Sequence, residues 1–152
     1  MSVTIARPRS LRGEIISPGD KSVSHRAVIF NALSNTSTAI ITNFSPGADC
    51  SSTEQILKLL GVEITREPGV KAAGDTLTVK GVGLNGLKEP HDILDAGNSG
   101  TTTRLISGIL AGQDFFSVLT GDQSLKTRPM GRVVDPLLTM GAKISGRANN
   151  TL

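Results

Sequence analysis

Asp95-Ala96-Gly97-Asn98-Ser99-Gly100-Thr101-Thr102-Thr103-Arg104 runs directly into Leu105-Ile106-Ser107-Gly108-Ile109-Leu110. Short polar side chains and glycine give way to an apolar helical pattern, so the join reads as a helix start. Asn98, Ser99 or Thr101 can cap it, and Gly97 and Gly100 let a ligand approach the backbone closely. The first amide N–H groups of the helix have no intrahelical acceptor, and such a corner attracts anions. Arg104, about one turn into the helix, can reach back to the same anion or across to a carboxylate.

The corner occurs twice. Its earlier copy is Pro18-Gly19-Asp20-Lys21-Ser22-Val23-Ser24-His25-Arg26. Gly19 and Gly97, Arg26 and Arg104, and Thr42 and Thr120 are each 78 residues apart, while Gly61-Val62-Glu63-Ile64 and Gly141-Ala142-Lys143-Ile144 are 80 apart. Each copy reads as glycine turn, helix, β-rich segment, second helix, then glycine and a short strand. The chain is therefore two supersecondary units in tandem, 13–80 and 92–152. The segment 76–80 that closes the first unit predicts a counterpart near 155–160, beyond Leu152. The expectation is a chain cut inside its second unit.

Composition narrows the function. A chain of 152 residues, 38% hydrophobic and 19% charged, can build one soluble core. The 16 Lys and Arg residues are scattered and the net charge is +3, which suits small anions. Four Phe with no Tyr or Trp leave little on which bases could stack, which argues against nucleic acid. Cys50, the single cysteine, excludes an internal disulfide and a multi-cysteine metal site, suits a reducing compartment, and reads as a buried filler. The first residues lack a signal-peptide core and no run approaches membrane-spanning length. A cytoplasmic location with no membrane partner is expected.

Residues 1–12 read as a basic extended segment carrying Arg7, Arg9 and Arg12, followed by a strand at 13–16. Over 22–33 the apolar residues Val23, Ala27, Val28, Ile29, Phe30, Ala32 and Leu33 cover most of a helix, which predicts packing on several sides. A strand is predicted at 38–42. Asp49 or Ser51 is expected to cap a helix that carries Ile56, Leu57, Leu59 and Leu60 and stops at Gly61. Segments 62–65 and 76–80 form a hairpin turning through Pro68-Gly69 and Gly74-Asp75, and 81–91 is loop. In the second unit, a helix at 99–110 is expected to bury Leu105, Ile106, Ile109 and Leu110, before a strand at 115–119. A last helix, opened by Pro129, points Val133, Val134, Leu137, Leu138 and Met140 at the core.

Lys21 opens the first helix, where its ammonium can hold a phosphate or take part in proton transfer. Ser22 adds a hydroxyl and Arg26 a fork suited to a carboxylate. The plainer alternative is a surface lysine beside a Ser22 helix cap. Pro-Gly-Asp-Lys-Ser lacks the glycines of a phosphate-binding P-loop. Gly121 to Pro129 adds a third cationic cluster. Arg128 there is expected at a helix start, a conflict with the macrodipole that a bound anion would remove, whereas Lys126 fits solvated loop charge. His25 reads as a helix-face group near Lys21 and Arg26. His91, Asp92 and Asp95 make no metal site, because Asp92 and Asp95 face opposite sides of a strand and no second histidine is near.

The stretches 18–26, 94–104 and Leu125-Lys126-Thr127-Arg128-Pro129-Met130-Gly131-Arg132 closely resemble three signatures of the 5-enolpyruvylshikimate-3-phosphate synthase family. The resemblance covers essentially the whole chain, in order, and looks like only the N-terminal third or so of such an enzyme. It implies an α/β fold: an inside-out α/β barrel lobe of repeated βαβαββ units, helices inside and sheets outside, here about two units. Residues 1–12 would belong to the other lobe and 13–152 to this one. It also implies a shikimate-pathway transferase of aromatic amino acid and chorismate biosynthesis, with no metal or cofactor. The 5-hydroxyl of shikimate 3-phosphate adds to C2 of phosphoenolpyruvate as C3 is protonated, and phosphate then leaves the tetrahedral intermediate.

By motif match, Lys21 would be catalytic and touch both substrates, while Ser22 and Arg26 would hold the carboxylate of shikimate 3-phosphate. Gly100 and Arg128 would bind phosphoenolpyruvate, in a pocket shaped by Asn98, Thr101 and Arg104. Glyphosate-tolerant members of the family often carry Ala at the position of Gly100, so Gly100 implies sensitivity. The missing C-terminal portion would be the partner, and the chain alone is expected to be inactive. A sibling, the UDP-N-acetylglucosamine enolpyruvyl transferases, typically uses a Lys-Asn pair and a loop cysteine. Here Ser22 follows Lys21 and Cys50 lies outside 121–129, which disfavours it. A non-catalytic anion-binding fragment is the other alternative.

Overall fold

The computed structural model describes residues 3–4, 6, 10–35, 37–69 and 74–147. Its elements run α1 (Lys21–Ala32), β1 (Thr38–Phe44), α2 (Ala48–Leu59), β2 (Glu63–Glu67), β3 (Asp75–Lys80), β4 (Leu94–Asp95), α3 (Gly100–Leu110), β5 (Leu119–Thr120) and α4 (Gly131–Thr139), with a 3-10 turn at Leu125–Thr127.

The strands of the first unit alternate, as half-buried strands must. They form an antiparallel sheet in the order β1-β3-β2, with Ile41 opposite Leu77 and Ile64 opposite Val79. Ile64, Leu77 and Val79 turn inward onto Val28, Ile29 and Ala32 of α1, Ile56 and Leu57 of α2 and Leu60 just after it, forming the core. α2 touches both α1 and α3, so the helices line the inside and the sheet covers them. Gly61 after α2 and Gly141 after α4 both take positive φ, +88° and +97°, the left-handed stop that glycine allows.

A charged cluster clamps α2 to the sheet. The Glu54 side chain is only 2% exposed and accepts from Lys58 Nζ at 2.7 Å and Arg66 Nη1 at 2.9 Å. Arg66 also donates from Nε to Asp75 at 2.7 Å and from Nη1 to Ser51 Oγ at 3.0 Å, and its guanidinium lies 5.5 Å from the centre of the Phe44 ring. The Gly69 N–H, together with Arg66, holds the Asp75 carboxyl below the usual carboxylate range.

Several expectations are corrected. Residues 13–16 form no strand; Ile15 and Ile16 are exposed, and the nearby Ser17 carbonyl accepts from Asn43 Nδ2 at 3.3 Å. A lone extended segment with no backbone ladder partner has nothing to hold it as a strand. Helix α1 is packed on one side only: Ser24, His25, Val28, Ile29 and Ala32 are buried against α2 and the sheet, while Val23 and Phe30 are 55% and 67% exposed. Helix α2 starts at Gly47 without a side-chain cap, placing Asp49 in its first turn. In α3, Leu105 is exposed and Ile109 and Leu110 are half-buried, leaving Ile106 as the buried aliphatic anchor. The strand expected at 115–119 shrinks to Leu119–Thr120, paired in parallel with β4. Helix α4 begins at Gly131, not at Pro129, because the 3-10 turn carries the chain through Arg128 in an extended conformation; none of its side chains is buried.

Candidate functional site

The two corners are built differently. At the first, Pro18-Gly19 presses its backbone against the end of β1, where a Cβ on Gly19 would lie 1.8 Å from the Asn43 carbonyl oxygen. Asp20, not Ser22, caps α1, its Oδ1 accepting from the Val23 N–H at 2.7 Å. That frees Ser22, which is exposed with Arg26 on the opening turns of α1; neither side chain makes a hydrogen bond among the described residues. The Lys21 ammonium is half-exposed and pairs with Asp49. Asp49 is a site residue that sequence reasoning weighed only as a cap. An acid in the first turn of α2 also suits the positive end of that helix.

At the second corner Ser99 is the cap, accepting from the Thr102 N–H at 3.1 Å, and Gly97 sits at φ +57° with its N–H donating to Asp95 Oδ1 at 2.8 Å. Arg128 Nη2 donates to Asn98 Oδ1 at 2.5 Å, and Asn98 Nδ2 donates to Asp122 Oδ2 at 2.6 Å. Asp122 Oδ1 in turn accepts from the Leu125 N–H at 2.7 Å. The Asn98 amide, followed by the Leu125 N–H, holds the Asp122 carboxyl below its usual range. Asp122 thus orients Asn98, and Asn98 orients Arg128, a role the sequence left unread in a loop otherwise notable for cations. The macrodipole conflict expected at Arg128 does not arise, since α4 starts only at Gly131.

Arg104 folds back on its own helix, donating from Nη1 to the Gly100 carbonyl at 3.0 Å and from Nη2 to the Pro129 carbonyl at 3.3 Å. A Cβ on Gly100 would lie 2.6 Å from Arg104 Nη1 and 3.2 Å from Arg128 Nη1, so both guanidinium groups converge over that glycine. Thr101 is half-buried beside it and makes no side-chain hydrogen bond among the described residues. Two cations, the first amides of α3 and an exposed rim are together the kind of groups that can hold an anion.

The corners are joined through α2. The Asp49 backbone carbonyl lies 3.1 Å from Thr102 Oγ1 in the first turn of α3, while its carboxylate holds Lys21. His25 does not face either corner. It is fully buried, with Nδ1 2.7 Å from Thr53 Oγ1. Burial first, then the Lys21 charge, pushes its pKa down, although Asp49 opposes this. A histidine kept neutral in the fold binds its proton more readily when unfolded, so stability is retained above the ordinary histidine pKa and lost as pH falls below it. Denaturant unfolding is expected to show stability dropping by up to about 1.4 kcal/mol per pH unit below about pH 6.5. His25→Asn should flatten that slope; an unchanged slope would contradict it. Among the described residues no group of His, Cys, Asp and Glu could hold a metal ion, and no helix is long and apolar enough to cross a membrane.

Residues 5–152 match the sequence profile of EPSP synthase (3-phosphoshikimate 1-carboxyvinyltransferase). A 3-phosphoshikimate 1-carboxyvinyltransferase of Pelotomaculum thermopropionicum is 56% identical over all 152 residues, and one of Chloroflexus aurantiacus is 56% identical over 145. These alignments cover 34% and 32% of the relatives, so the chain spans about a third of their length. The solved EPSP synthase of Acinetobacter baumannii superposes with a TM-score of 0.82 at 44% identity, covering 92% of this chain and 31% of that one. With the helix-in, sheet-out layering and both glycine corners in place, the chain belongs to the EPSP synthase (3-phosphoshikimate 1-carboxyvinyltransferase) family.

Proposed function

We propose that this chain contributes one wall of the cleft of a cytoplasmic enolpyruvyl transferase that joins phosphoenolpyruvate to the 5-hydroxyl of shikimate 3-phosphate. The convergence of Arg104 and Arg128 over Gly100 carries the reading, since it offers two forks and free helix amides to one small, multiply charged anion. In this reading Arg128 and Gly100 seat phosphoenolpyruvate, Asn98 and Arg104 fix the walls of that seat, and Thr101 lines it. Ser22 and Arg26, left free on α1, take the carboxylate of shikimate 3-phosphate. Lys21 lies between the two substrates. Its ammonium, released from Asp49, can stabilise the charge that develops as phosphate departs.

We infer that residues 1–12 belong to a second lobe and that 13–80 and 92–152 are one complete and one incomplete unit. A groove of about 930 Å³ supports the second point. It lies between Phe115–Leu119 and Ala142–Arg147, where β3 would stand if unit two repeated the order β1-β3-β2. The open Val23 and Phe30 face of α1 suits cover by the remaining two thirds of the enzyme.

Calorimetric titration with shikimate 3-phosphate tests the half-site. Binding by the chain is expected to weaken about tenfold or more in Lys21→Ala and in Arg26→Ala, the worth of one charge-assisted contact. Equal affinity in either variant would refute the assignment. Turnover is expected only when the C-terminal portion is added in trans, and product made by the 152-residue chain alone would refute the division into lobes.

A further inference from the structure

Five polar contacts run from α1 through α2 into α3 below both corners. His25 Nδ1 lies 2.7 Å from Thr53 Oγ1, and Thr53 Oγ1 lies 2.7 Å from Thr102 Oγ1. Thr102 Oγ1 lies 2.7 Å from Ser99 Oγ and 3.1 Å from the Asp49 carbonyl oxygen, and Ser99 Oγ accepts from the Thr102 N–H. His25, Thr53, Ser99 and Thr102 are all buried, and His25 Nε2 has no partner.

Counting protons fixes the direction. The Asp49 carbonyl can only accept and Ser99 Oγ also accepts from Thr102, so the single Thr102 hydroxyl proton is shared between those two. Thr102 has none to give Thr53, and Thr53 therefore donates to Thr102 Oγ1. Thr53 has no proton left for His25, so Nδ1 must be the protonated nitrogen. This arrangement fills every contact and leaves one bare lone pair on Nε2. The opposite tautomer would bury an orphaned N–H donor and set the Thr102 oxygen against the Asp49 carbonyl with no hydrogen between them, both costlier.

The structure assigns His25 as a positioning residue: its neutral, Nδ1-protonated ring directs a one-way hydroxyl chain that pins the Asp49 backbone to the first turn of α3. Asp49 holds Lys21 and α3 presents Gly100, so the chain fixes the two corners relative to one another. This rests on the enolpyruvyl-transfer reading only for the ligand that senses the positioning.

The test uses the 15N-labelled chain. Long-range 1H–15N correlation at pH 7 is expected to show His25 protonated at Nδ1; an Nε2-protonated ring or an imidazolium overturns the assignment, whatever the variants do. Thr53→Val removes the donor to Thr102 while keeping shape. It is expected to shift the Gly100 and Thr101 amide resonances and weaken phosphoenolpyruvate binding about tenfold, with Thr53→Ser restoring both. Unmoved amides in a folded Thr53→Val chain overturn the assignment. A chain with the expected tautomer and amide shifts that never binds phosphoenolpyruvate leaves the positioning intact and counts against the transferase reading instead.

Discussion

Arg66→Met should lower the stability of the chain by about 3–5 kcal/mol, seen as a large drop in the urea midpoint. The methionine keeps most of the arginine stem, so the loss is one of charge and hydrogen bonding. Glu54, almost wholly buried, would keep only Lys58, whose side chain is 34% exposed. Asp75 would lose its Nε–H donor, Ser51 its guanidinium contact and the Phe44 ring its cation. Against a typical domain stability of about 5–15 kcal/mol, that threatens folding itself.

The size of the effect comes from stranding a buried carboxylate, which distinguishes it from the generic loss of a surface salt bridge. Adding Glu54→Leu in the Arg66→Met background should therefore restore part of the stability, whereas Glu54→Leu alone should destabilise by leaving Arg66 undercompensated. Strict additivity of the two substitutions would show that the pair is not coupled. Because the cluster anchors α2, and α2 begins with Asp49 and its grip on Lys21, the Arg66→Met chain should also bind shikimate 3-phosphate more weakly.

Legibility in the sequence followed how local the cause was. Helices α1, α2 and α3, the hairpin of β2 and β3 and the glycine stops were readable, because periodicity, β-branching and glycine act over a few residues. The repeat spacing of 78 to 80 placed both corners. What failed depended on partners elsewhere. Val23, Phe30, Leu105, Leu138 and Met140 have the apolar character of core residues, yet no element among the described residues covers them, and 13–16 has a strand's composition without a ladder to join there. Asp49 and Asp122 were seen but not understood. Each is an ordinary loop or helix-start acid until the fold sets it against Lys21 or against Asn98 and Arg128. His25 reads from its sequence neighbours as a helix-face group, and the fold supplies what the sequence could not: that face is the inner one, with the ring buried against Thr53.

Gly100→Ala should separate stability from binding more sharply than any other substitution. Gly100 is the first residue of α3, with helical backbone and a negative φ, so alanine suits the position and the folded chain should stay within about 1 kcal/mol of the parent. The added methyl has to displace something, however, because it would sit 2.6 Å from Arg104 Nη1 and 3.2 Å from Arg128 Nη1. Both atoms are the far ends of flexible side chains, so they can swing away at little cost to folding. The anion seat is lost in that swing: two charge-assisted forks move off the free amides of α3. Phosphoenolpyruvate affinity should fall about ten- to a hundredfold, equivalent to roughly 1.4–2.8 kcal/mol. Shikimate 3-phosphate affinity, which the proposed function assigns to Ser22 and Arg26 on α1, should change by less than about threefold, well under the worth of one such contact. The family resemblance adds that an assembled enzyme with Gly100 should be inhibited by glyphosate and that its Gly100→Ala form should escape. If the alanine variant bound phosphoenolpyruvate as tightly as the parent, the two guanidinium groups over Gly100 would not be the anion seat, and the roles of Arg104 and Arg128 would have to be reassigned.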